Sequence, residues 1–167
     1  MADIQLIGSS PATKNYAQSA NYIELERVQA IASGTLKYLK VYSGLSAKIK
    51  TAIYADSSGS PAALLAASTE HTLSAGSNTV TMPDLAIVLG TYYWIGHIVD
   101  TANSTYGYYT GGTSKYKGAT YSGFSFPNPA GTGYSNEDAT WDLVGWGVES
   151  AGGSIIPILN QYRQRRA

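Results

Sequence analysis

A chain of 167 residues with 44% hydrophobic and only 13% charged residues is long enough to bury one core. Abundant glycine (18) and tyrosine (14), beside scarce phenylalanine (2) and methionine (2), suit strands and turns and speak against a helical bundle or a disordered chain. Net charge is zero and cysteine is absent, so global charge draws in neither nucleic acid nor an anionic membrane, and no disulfide or thiolate metal site can form.

Residues 1–20 are small and polar and read as an N-terminal arm, within which "IQLIG" has the pattern of an edge strand. They lack the basic-then-apolar order of a secretory leader, and no run of about 18 apolar residues follows, which argues for synthesis in a cytoplasm and against a membrane span. An extracellular location would require a leader removed beforehand.

From 21 to 150 short β-patterned runs alternate with turn signals, as expected of one domain. "NYIELERVQAI" alternates Ile23 and Leu25 with Glu24 and Glu26. "GTLKYLKVYSG" sets Leu39 and Val41 against Tyr38, Lys40 and Tyr42. "AKIKTAIYAD" points Ile49, Thr51, Ile53 and Ala55 inward and Lys48, Lys50, Ala52 and Tyr54 outward. The short glycine-containing link between these last two predicts an antiparallel hairpin. "SPAALLAAS" (60–68) is either a short helix or an extended run. "SNTVTMPDLAIVLG" alternates around Val80 and Met82 until Pro83 interrupts the ladder, and the nearly continuous apolar "TYYWIGHIVD" predicts a central buried strand. "ATWDLVGWGVES" is the last strand, with Val144, Trp146 and Val148 on one face. The whole predicts an all-β, antiparallel β-sandwich, jelly-roll-like rather than immunoglobulin-like, with extended terminal arms.

The run from "GTLKYLKVYSG" through "KIKTAIYADSSGSPAALLAAS" and "LSAGSNTVTMP" to "LGTYYWIG", about residues 34–99, resembles a carbohydrate-binding-like jelly-roll module of extracellular and phage virion surface proteins. The resemblance implies the fold and transfers no catalytic residue, because such sandwiches host lectins, capsid proteins and enzymes alike. Read directly, Asp56 with Ser57 and Ser58 closes an Asx-type turn, Gly59 supplies a positive φ, and Pro61 stiffens the exit.

Chemistry is sparse. His97 lies in the "YWIGHIV" strand and reads as a hydrogen-bonded packing residue, while His71 sits in a polar turn beside Glu70. No G-x-S-x-G motif occurs, so no enzyme and no cofactor are expected. Glu137, Asp138 and Asp142 form a weak calcium candidate, against the plainer reading of a solvated loop entering a strand. The segment 104–138 is rich in tyrosine and glycine, a composition suited to adaptable recognition, and Tyr106, Tyr108, Tyr109, Tyr116 and Tyr121 with Trp141 form a candidate glycan platform. The interleaved Tyr38, Lys40, Tyr42, Lys48, Lys50 and Tyr54 also fit a single-stranded nucleic-acid platform, although lysines on strands equally guard an edge.

Residues 151–167 begin with Gly152 and Gly153, continue with Ile155, Ile156, Ile158 and Leu159, and reach Tyr162 and three arginines. They read as a hinge plus an apolar and basic tail, either a final strand of the same sandwich or an assembly arm for a neighbouring subunit. Together these features point to a non-enzymatic structural subunit of a virion surface, in a capsid-decoration or tail-associated position. Its partners would be its own copies and other virion structural proteins. The alternative is a carbohydrate-binding module or adhesin domain.

Overall fold

The structure is a computed structural model that describes residues 3–9 and 16–150. The side chains of Tyr16 and residues 106–112 fall outside that description, as do residues 151–167. Twelve strands are formed and no helix occurs among the described residues. They are β1 (Asp3–Ser9), β2 (Tyr16–Ala17), β3 (Tyr22–Gln29), β4 (Gly34–Ser43), β5 (Ala47–Ser57) and β6 (Ser60–Ala67). Then come β7 (His71–Leu73), β8 (Gly76–Ile87), β9 (Tyr92–Val99), β10 (Tyr106–Gly118), β11 (Ser135–Trp141) and β12 (Leu143–Glu149).

Two antiparallel sheets pack against each other as a β-sandwich, one ordered β1-β12-β4-β8 and the other β11-β10-β3-β9-β5-β6, with β2 beside β10 and β7 beside β5. The chain changes sheet between β1 and β2, β3 and β4, β4 and β5, β7 and β8, β8 and β9, and β11 and β12. That winding is a jelly roll, to which the β10–β11 pair adds an extension at the edge of β3.

Leu6, Leu36, Leu39, Val41, Ile49, Ile53, Ile95 and Trp141, among others, fill the space between the sheets. β9 is central and almost wholly buried, as its apolar run predicts. Pro83 is accommodated within β8 because that strand lies at a sheet edge and its pairing with β4 slips between Leu36 and Tyr38.

Several expectations are corrected. β4 and β5 do not form a hairpin: β4 pairs with β12 and β8, whereas β5 pairs with β9, β6 and β7. Tyr38, Lys40 and Tyr42 therefore belong to one sheet and Lys48, Lys50 and Tyr54 to the other, so they make no common platform. Of the two readings of the N-terminal residues, arm or edge strand, "IQLIG" lies in the second: it is within β1, at the edge of the smaller sheet, with Leu6 and Ile7 fully buried. Of the two readings of 60–68, helix or extended run, the extended one is formed, as β6, whereas His71 opens β7 instead of lying in a turn. "ATWDLVGWGVES" is two strands in two sheets, with Asp142 at the crossover.

Candidate interaction surfaces

The outer face of the larger sheet is not open. Residues 119–134, which contain no strand, lie across it and form a second apolar cluster of Ile23, Leu25, Tyr54, Trp94, Ile98, Tyr121 and Phe126. Polar contacts hold this cover down: Tyr54 donates to the Pro127 carbonyl (3.0 Å), Lys50 Nζ to the Phe124 carbonyl (2.9 Å), and the Leu64 amide to Asn128 Oδ1 (3.1 Å). Gly96 makes room for it, since a Cβ there would stand 2.6 Å from Leu25 Cδ2 and 3.6 Å from Phe126 Cε1. Two shallow clefts flank the cover, of about 400 Å³ beside Tyr121 and Lys48 and about 470 Å³ beside Phe124 and Lys50.

At one border of this face the turn read from "DSSG" is anchored more firmly than an Asx turn alone. Ser58 and Gly59 both have positive φ (50° and 81°), and the Gly59 amide donates to Asp56 Oδ2 at 3.2 Å. Asp56 also accepts from Arg27 and from Trp94 Nε1 (2.8 Å). The Arg27 hydrogen bond is the main reason its carboxyl falls to about 2.

Between the sheets, β3 turns its glutamates inward. Glu24 and Glu26 are directly opposite His97 and Ile95 of β9, while Ile23 and Leu25 face the cover. Burial pushes the Glu26 carboxyl up to about 8, even though its Oε2 accepts the Trp141 amide at 2.9 Å. Burial first, and then the neighbouring Glu137, hold Glu24 well above the usual carboxylate range.

His97 is fully buried, and burial pushes its imidazole down to about 3, so it is neutral. Its tautomer follows from a chain of contacts. Gln18 Nε2 donates to the Tyr22 carbonyl, leaving Gln18 Oε1 to accept the Thr105 hydroxyl at 2.8 Å. That hydroxyl proton is thereby committed, so His97 Nε2 donates to Thr105 Oγ1 at 3.2 Å. The ring packs edge-on to Trp141 at 4.9 Å. This arrangement can bury charge-capable groups in neutral form, and with His97 at 0% exposure it offers no proton to a bound molecule.

The outer face of the smaller sheet carries no such cover among the described residues. Lys40 Nζ lies 4.2 Å from the centre of the Trp146 ring, and Tyr38 donates to Asp3 Oδ2 at 2.9 Å. Gln5, Lys40, Tyr42, Ser77, Asp142 and Trp146 surround a cleft of about 230 Å³. The face predicted for Val144 and Trp146 thus exists, but it points away from the core, which Leu143 enters instead.

The candidate residues disperse. Trp141 (0% exposed) and Tyr121 (6%) are packed into the two clusters and cannot present a ring to a sugar. Tyr116 is on β10, 6.2 Å from the Tyr22 ring. Tyr106, Tyr108 and Tyr109 belong to β10 by backbone, and their side chains lie outside the described residues. Glu137 and Asp138 are consecutive on β11 and so point to opposite faces, while Asp142 is buried at the crossover, so the three carboxylates do not converge on a calcium site. The tail residues Ile155, Ile156, Ile158, Leu159 and Tyr162 lie outside the described residues.

Comparison with known protein families and with curated proteins finds no match.

Proposed function

We propose that the chain is a non-enzymatic structural subunit that assembles with its own copies, of the kind that decorates a virion surface or tail. The supporting observation is where its chemistry lies. His97 and two of the glutamates are sealed between the sheets in neutral form, while the outer face of the smaller sheet has no cover among the described residues and carries Tyr38, Tyr42 and Trp146. Stacked antiparallel sheets with an uncovered, partly aromatic face suit broad contact with another protein better than turnover of a small molecule. The apolar segment 155–159 supplies a second means of association, as an arm reaching a neighbouring subunit. Light scattering across concentration tests the reading. A discrete oligomer or filament is expected, and a monomer at every concentration would overturn self-assembly.

Carbohydrate binding is the second reading, and the Trp146 cleft favours it. An indole ring beside Gln5, Lys40, Tyr42 and Ser77 combines a stacking surface with hydrogen-bonding groups. On this reading the platform moves from the tyrosine-rich segment to the smaller sheet. A glycan panel probed with the native chain and with Trp146→Ala decides it: binding lost in the variant supports the cleft, and no binding by either chain removes it.

A further inference from the structure

Most of the exposed large aliphatic side chains gather at one end of the sandwich. Ile31 is 55% exposed, Val88 56% and Leu89 37%. Hydrogen bonds join the two loops that carry them: the Gly90 amide donates to the Ala30 carbonyl (2.9 Å), and the Leu89 amide to the Ser33 side-chain Oγ (2.9 Å). Ser33 also holds the last described residue, because its carbonyl accepts the amide of Ser150 at 3.2 Å. The apolar patch and Ser150 are therefore neighbours.

We propose that this patch receives residues Ile155–Leu159 of a second copy of the chain, a docking site that rests on the assembly reading above. Reach is adequate. Residues 151–154 separate Ser150 from Ile155, enough for a link of roughly 14 Å, and Gly152–Gly153 let it turn. The segment cannot add as a strand beside β12, whose two edges are taken by β1 and β4.

Its sequence also calls for two surfaces. Docked as an extended peptide, the form that a proline at 157 allows, the segment would offer Ile155 and Leu159 to one side and Ile156 and Ile158 to the other. One domain's patch covers one side only. Two copies meeting end to end, with each segment held between the two patches, cover both. Donor and acceptor lie at the same end, so the exchange closes on itself about a two-fold axis.

The chain has no cysteine, so introduced thiols report only on each other. Val88→Cys and Ile156→Cys are made in separate chains, mixed, and oxidised mildly. The expected result is a mixed disulfide between the two chains, several-fold above the yield when Ala102→Cys, beyond the opposite end of β9, replaces Val88→Cys. Equal yields would overturn the site. So would a doubly substituted chain that closes only within itself, since the segment would then dock on its own domain. If the native chain is an oligomer while this disulfide fails, the assembly reading stands and the docking site falls.

Discussion

Arg27 and Asp56 form a two-point ion pair, Nε to Oδ1 at 2.8 Å and Nη2 to Oδ2 at 3.0 Å, that reaches across the central strand β9. Trp94 of β9 completes it by donating its indole N–H to the same carboxylate at 2.8 Å. One side chain thus ties β3, β9 and the β5–β6 turn together. The Arg27 guanidinium also lies 3.8 Å from the centre of the Tyr92 ring.

Asp56→Asn is expected to cost about 2 kcal/mol at pH 7, the worth of a carboxyl lowered from 3.8 to about 2. A depressed carboxylate stabilises the fold above its unfolded value, and the contribution disappears as pH falls through about 2. Urea unfolding at pH 7 and at pH 2 measures it. The gap between native and variant chains should close at the lower pH, and a gap that persisted unchanged would refute the charge-based account.

Glu24 and Glu26 act in the opposite direction. Their folded-state values are raised, so their contribution is complete below about 4.5 and is lost as pH climbs, through about 8 for Glu26. His97, lowered to about 3, contributes above its unfolded value of 6.5 and loses that contribution as pH falls. Between pH 5 and 6.5 two carboxyls oppose one imidazole, and above 6.5 the carboxyls act alone. The melting temperature should therefore be higher at pH 5 than at pH 8. Glu26→Gln should flatten the slope by about 1.4 kcal/mol per pH unit, while a profile that rises toward pH 8 would contradict these protonation states.

Gly96→Ala drives a methyl group toward Leu25 and Phe126, beneath the cover. Overpacking of this kind costs roughly 1–3 kcal/mol. Loss should concentrate in residues 119–134, seen as faster protease cleavage there before global unfolding. Unaltered cleavage would mean that the cover is not seated on Gly96.

The strands were largely legible in the sequence, and the sheets were not. Alternation in "AKIKTAIYAD" separates Ile49 and Ile53 from Tyr54, but it names faces without naming partners, so β4 and β5 look like a hairpin while the chain crosses between sheets. In β3 the hydrophobic side, Ile23 and Leu25, faces the cover and the glutamates face the interior. No local pattern distinguishes a cover of 119–134 from solvent. The same cover hides Tyr121, whose composition-rich segment reads as a recognition loop. The Ile31–Val88–Leu89 patch is equally silent in sequence, because its members come from loops far apart in the chain.

The most direct test of assembly compares the solution mass of the full chain with that of a chain ending at Gly153. A discrete oligomer or filament that becomes a folded monomer on truncation is the expected result. A full chain that is already monomeric, or an oligomer of the same mass after truncation, would contradict assembly through the C-terminal segment.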